Sequence, residues 1–174
     1  MPDDVLILLL VGLKGAGKTT IGGLLEKELG IPFVRVELIL LRLRETQPHI
    51  SCSEFDEQGV TMILDTVRDL ARNTDTICLE ATGTTGYFPT LLDQLRRVFR
   101  VLFIRVSAPA EICFRRMKTR DASSHLEYSD DRLREINLLA EKVHLDWDLQ
   151  IDNTHEWNEQ AIVGGVAALL KRAR

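Results

Sequence analysis

One stretch of the chain has residue types and spacing that suit phosphate chemistry. It reads Gly12-Leu13-Lys14-Gly15-Ala16-Gly17-Lys18-Thr19 and is followed by Thr20. This matches the phosphate-loop pattern G-x-x-x-x-G-K-[ST] at every fixed position. Glycines let backbone N–H groups converge on phosphate oxygens where a Cβ would collide. A helix starting near Lys18 aims its positive dipole end at the same anion. Lys18 is then placed for the β- and γ-phosphates, and the Thr19 hydroxyl for Mg²⁺. The nine residues Gly12, Leu13, Lys14, Gly15, Ala16, Gly17, Lys18, Thr19 and Thr20 are the expected nucleotide site, with ATP and Mg²⁺ as the implied cofactors. The alternative is an ordinary glycine-rich turn carrying a solvent-exposed lysine.

Other candidates are less specific. Glu37 falls where a second strand ends, on the side of the sheet where doubly wound folds bind ligands. A carboxylate there orients or deprotonates an acceptor hydroxyl, or merely complements a helix start. Glu80 closes the apolar run Thr76-Ile77-Cys78-Leu79-Glu80, as a metal-shell acid or as a plain strand terminus. The polar loop Thr82–Gly86 follows it, suited to substrate contact or to an ordinary turn. Arg115, Arg116, Lys118 and Arg120 cluster at a helix end, and Arg116 and Arg120, four apart, share one face. They either grip phosphate bidentately or complement the helix C-terminus. His49, His125, His144 and His155 form no ligand spacing, and Trp147 and Trp157 read as core.

These residues need elements to position them. Val5–Val11 is a continuous aliphatic run, the pattern of a strand covered on both faces. Lys18–Leu29 places Ile21, Leu24, Leu25 and Leu29 at helical spacing and stops at Gly30. Pro32–Val36 reads as the second strand and Leu38–Arg44 as a helix. Glu54–Arg72 reads as another helix, with Ser51 and Glu54 in capping-box spacing. Thr76–Glu80, Val101–Val106 and Leu149–Ile151 read as further strands. Tyr87–Arg97, Pro109–Arg120, Asp130–Val143 and Trp157–Arg172 read as helices, with the polar stretch Asp121–Ser129 between two of them. Strands alternating with helices predict a parallel sheet with helices on both faces.

The phosphate loop near the N-terminus, the chain length and the element order together resemble the shikimate kinase and adenylate kinase-like group of small-molecule kinases. The resemblance is strongest over Val11–Phe33, in Gly15-Ala16-Gly17-Lys18-Thr19-Thr20-Ile21-Gly22 and Leu29-Gly30-Ile31-Pro32-Phe33. It implies an α/β, three-layer P-loop NTPase fold with a five-stranded parallel sheet in the order 2-3-1-4-5. It further implies a substrate segment at about 38–72 and a short lid at about 119–129, within one domain spanning 1–174. By the same resemblance Glu80 lies beside the phosphate loop and supports the metal with Thr19, and Arg116 or Arg120 covers the phosphates from the lid. Asn153, in Asp152-Asn153-Thr154, would belong to the loop that cradles adenine. The substrate motifs depart from shikimate kinases. Where those carry Asp-x-Asp, this chain has Arg35, Val36 and Glu37, so only the second acid persists, as glutamate. Their Gly-Gly-Gly loop reads Gly83-Thr84-Thr85-Gly86 here, and the substrate arginine expected around Thr61–Leu64 is absent.

Composition bounds the rest. The chain has 174 residues, 45% of them hydrophobic, with 22 Lys plus Arg against 26 Asp plus Glu, a net charge of −4. That balance disfavours a broad nucleic-acid-binding face. The cysteines, Cys52, Cys78 and Cys113, contain no CxxC pair, so buried reduced thiols in a cytoplasmic protein are expected. The longest apolar run is far short of the roughly 20 residues that span a bilayer. Lys18, Glu37, Arg116 and Arg120 are the expected catalytic set of an ATP- and Mg²⁺-dependent kinase acting on a small metabolite, nucleoside or nucleotide. The alternatives are a nucleotide-binding regulatory module with a kinase-like fold and a polynucleotide end kinase. The sequence leaves the acceptor and the oligomeric state open.

Overall fold

In a computed structural model, residues 5–120, 126–155 and 158–174 are described. β1, Leu6–Val11, is buried along its whole length. Its side chains alternate, so Ile7, Leu9 and Val11 pack into one apolar cluster and Leu6, Leu8 and Leu10 into another, one on each face. A strand wet on one side would carry polar residues at every second position; this one carries none.

The remaining elements follow in alternation: α1 (Lys18–Leu29), β2 (Phe33–Val34), α2 (Val36–Thr46), α3 (Cys52–Leu70), β3 (Thr76–Ala81) and α4 (Phe88–Val98). Then come β4 (Arg100–Ser107), α5 (Ala110–Lys118), α6 (Asp130–Ala140), β5 (Leu149–Asp152) and α7 (Glu159–Ala173). The five strands form one sheet in the order β2-β3-β1-β4-β5, and every pairing is parallel. This is the expected P-loop NTPase architecture. β1 pairs with β3 on one side and β4 on the other, Leu10 standing opposite both Glu80 and Ile104. The chain order reverses at β1, where such sheets open a crevice beyond their C-terminal ends.

Helices α2, α3 and α4 cover one face through Leu40, Ile63, Val67 and Leu95, while α1 and α7 cover the other through Ile21, Leu25 and Val166. Local chemistry sets their ends. Gly30, at φ 65°, terminates α1 in the left-handed conformation. Ser51 and Glu54 form the expected capping box of α3, and Ser129 caps α6 by accepting from the Arg132 amide.

Three expectations are corrected. The second strand is only Phe33–Val34 rather than Pro32–Val36. It is an edge strand pairing with β3 alone, Pro32 has no N–H to donate, and α2 starts at Val36. Glu37 therefore sits in the first turn of a helix, not at a strand end. Cys52 is exposed at the start of α3, whereas Cys78 and Cys113 are buried. α5 ends at Lys118, so Arg120 lies beyond the helix. The core position expected for Trp157 and residues 121–125 of the expected lid, His125 among them, fall outside the described residues. No helix among the described residues is long and apolar enough to cross a membrane.

Candidate active site

Between β1 and α1 the backbone turns through Gly15 and Gly17, at φ of 90° and 100°. Both angles lie in the left-handed region where a Cβ is strained. The space is also closed: a Cβ on Gly15 would meet the Cys113 carbonyl oxygen at 2.2 Å, and one on Gly17 the Asn153 amide nitrogen at 2.2 Å. The loop is thus seated on α5 and on the segment that follows β5.

Two buried amides hold it there. Asn137, on α6, accepts from the Lys14 amide at 2.8 Å and donates to the Lys14 carbonyl at 3.1 Å. Asn153 donates its side-chain amide to the Ala16 carbonyl at 2.8 Å. Its own carbonyl accepts from Arg116 at 2.9 Å, and Arg116 also reaches the Gly15 carbonyl at 3.5 Å. Arg116 and Asn153 therefore brace the underside of the loop through backbone groups. Arg120 instead contacts the Met117 sulfur and lines the cavity above the loop.

Lys18 is buried, and its ammonium donates to the carbonyls of Gly12 and Leu13, both at 2.8 Å. Burial pulls its pKa down to about 8, while the neighbouring Glu80 carboxylate opposes the shift. The Thr19 hydroxyl donates to Glu80 Oε2 at 2.7 Å, across the β1–β3 junction. Lys14 pairs with Glu37 at 3.1 Å and lies over the Tyr128 ring, 4.7 Å from its centroid. The same Glu37 oxygen accepts from the Leu126 amide at 3.2 Å. The loop, α2 and the chain leading into α6 thus meet at one carboxylate.

Around these groups lies a cavity of about 300 Å³. Lys14, Lys18, Thr19, Glu37, Glu80 and Arg120 line its polar part. Val36, Leu40, Phe55, Tyr87, Ile136 and Leu139 supply an apolar part, with Asp56 and the Thr82–Gly86 loop beside it. Burial pushes the Tyr87 phenol up to about 12, so it stays neutral. Burial likewise raises the Cys113 thiol, which donates to the Ala108 carbonyl and has no exposed nucleophilic form.

The structure brings Lys18, Thr19, Glu37, Glu80 and Arg120 to one cavity and sets Arg116 and Asn153 behind the loop. Sequence reading missed Asn137, Asp56, Tyr87 and Tyr128. Asn137 alone left a trace, as a polar residue inside the apolar stripe Leu133, Ile136 and Ala140 of α6.

A family model, AAA_18, described as an AAA domain, matches residues 8–138. No curated protein matches the sequence significantly. Among solved structures, a Chloroflexus aurantiacus protein assigned as a kinase superposes with a TM-score of 0.74 at 16% identity, covering 95% of this chain and 98% of its own. A sugar kinase from Janibacter sp. HTCC2649 gives 0.65 at 16% identity, covering 96% and 95%. Shikimate kinase from Bacteroides thetaiotaomicron gives 0.57 at 16% identity, covering 95% and 98%. At these identities the likeness is one of fold.

Proposed function

Because the chain belongs to the AAA_18 family of AAA domains, we propose that it is an ATP- and Mg²⁺-dependent kinase moving the γ-phosphoryl group to a small molecule. The observation that carries this reading is the shape of the site. The cavity runs from Lys18 and Thr19 past Glu80 and Glu37 into an apolar recess. A nucleotide switch needs the first half of that cavity and has no use for the second.

The donor set suits a hard cation. The Thr19 hydroxyl and the Glu80 carboxylate lie 2.7 Å apart at the loop. Mg²⁺ typically takes one or two such protein oxygens and completes its shell with phosphate and water. When bound, it neutralises charge on the β- and γ-phosphates. Lys18 leaves its two loop carbonyls for the same phosphates, and the loop amides hold them in place. Glu37 orients the acceptor hydroxyl and takes its proton. The acceptor oxygen forms a bond to the γ-phosphorus, and the bridging bond breaks with its electron pair passing to the β-phosphate of ADP. Arg120 meets the transferred charge, and exclusion of water at the site keeps ATP from being hydrolysed. The substrate segment 38–72 supplies Leu40, Phe55 and Asp56 to the recess. In this reading residues 1–174 act as one cytoplasmic domain.

Transfer of labelled γ-phosphate from ATP across sugars, nucleosides, nucleotides and carboxylic polyols tests the proposal. Turnover is expected with at least one class, and Lys18→Met should reduce it at least ~100-fold without changing the melting temperature by more than a few degrees. ATP binding with no transfer to any acceptor would instead favour the regulatory module. Arg35, where shikimate kinases carry an acid, supports that second reading: it does not line the cavity, and its buried Nε has no partner among the described residues.

A further inference from the structure

The recess is built for an acceptor of a particular charge, an inference that rests on the kinase reading above. Seven charged residues line the cavity: Lys14, Lys18, Arg120, Arg132, Glu37, Asp56 and Glu80. Most are already committed. Lys14 is paired with Glu37, Lys18 sits on loop carbonyls, and Glu80 accepts from Thr19. Arg132 is held at 2.6 Å by Glu135, both largely exposed. Lys18, Lys14 and Arg120 stand where triphosphate charge arrives.

Asp56 is the exception. It lies on the inner side of α3, half-buried, with Oδ2 against Gly86: a Cβ added there would meet it at 2.6 Å. Among the described residues it has neither a hydrogen-bond donor nor a cation. Phe55, Leu40, Tyr87, Thr84 and Thr85 line the same cavity. A half-buried carboxylate without a protein partner has its acceptor oxygens open to the donors of a ligand.

The cations that line the cavity are already engaged: Lys14 by Glu37, Lys18 by the loop carbonyls, Arg120 by the Met117 sulfur and Arg132 by Glu135. Arg35 and Arg42 do not line the cavity, and Arg44 is spent on the Phe55 ring, 4.3 Å from its centroid. An acceptor carboxylate or phosphate in this recess would face Asp56 and would have to compete with Glu135 for Arg132.

We propose that the acceptor is an amine-bearing hydroxyl compound with an apolar or aromatic body and no carboxylate or phosphate. Its amino or ammonium N–H groups bind Asp56, its body packs on Phe55, Leu40 and Tyr87, and its hydroxyl reaches Glu37. Asp56 is in this view a specificity-determining residue, remote from the transferred phosphorus.

The test uses the full chain with a non-hydrolysable ATP analogue and Mg²⁺. Binding is titrated for three probe sets: amine-bearing alcohols and aminated nucleosides, matched hydroxyl compounds without the amine, and shikimate, gluconate and nucleoside monophosphates. The amine-bearing set is expected to bind tightest and the anionic set not measurably. Asp56→Asn should weaken the amine-bearing set roughly 10- to 100-fold, leave the amine-free set within about threefold, and leave nucleotide affinity unchanged. A thermal melt checks that the variant folds. With turnover, the same change should appear in KM and not in kcat. Tight binding of an anionic acceptor, or equal affinities in Asp56→Asn and the parent, would overturn the proposal. Selective amine binding without phosphoryl transfer would uphold it and sink the kinase reading instead.

Discussion

Lys18 gathers the loop's electrostatics into one titrating group. Its folded pKa of about 8 lies below the ordinary lysine value of 10.5. Between those two pH values the unfolded chain holds a proton that the folded chain has released. Stability therefore rises with pH across that window and is lowest, from this group, below about 8. Triphosphate reverses the balance by favouring the ammonium. Nucleotide binding near pH 8 should then take up on the order of half a proton. Calorimetry in buffers of different ionisation enthalpy measures this directly, and an apparent enthalpy independent of buffer would refute it. At this scale the sequence was partly legible. Lys18 and Thr19 are fixed by a motif whose spacing is local, and Glu80 by its place at a strand end. Asp56 was invisible, because its place in the cavity comes from its packing against Gly86, thirty positions away, and from having no partner among the described residues, which only folding decides.

Elements act here as braces. α6 and the segment after β5 come late in the chain, yet each sends one amide to the phosphate loop. Asn137→Ala would remove both hydrogen bonds to Lys14 and leave a buried N–H and C=O without partners. A loss of about 1–3 kcal/mol is expected, read as a lower denaturation midpoint, together with weaker nucleotide affinity. Asn137→Asp should keep the bond from the Lys14 amide and lose the one to its carbonyl, giving an intermediate effect. The alternation of strand and helix was readable because a continuous aliphatic run and a 3.6-residue stripe are local patterns. β2 was misjudged for a physical reason: an edge strand gains ladder bonds on one side only, so the helix start at Val36 prevailed over the apolar run. Likewise, the Arg116–Arg120 spacing suggested one face of one helix, but α5 ends between them and sends the two guanidinium groups to different sides of the loop.

Across the whole molecule, β1 is the shared wall of two apolar clusters, and the site stands on its C-terminal edge. Leu25, fully buried in the cluster between α1 and the sheet, should cost about 2–5 kcal/mol when truncated to alanine. Denaturant titration should show a lower midpoint with an unchanged slope; a shift below about 1 kcal/mol would mean that the two faces do not share one cooperative core. The strand order was anticipated from resemblance, whereas the meeting of loop, α2 and the 126–128 segment at Glu37 needed all three in place. That meeting bears on the order in which ligands would bind. Lys14 and Glu37 neutralise each other before any substrate arrives. If the site takes triphosphate as proposed, an acceptor that entered first would find Glu37 held by Lys14, whereas triphosphate would compete for Lys14. On the kinase reading proposed above, the pair would work as an interlock, with nucleotide entering first and the acceptor second.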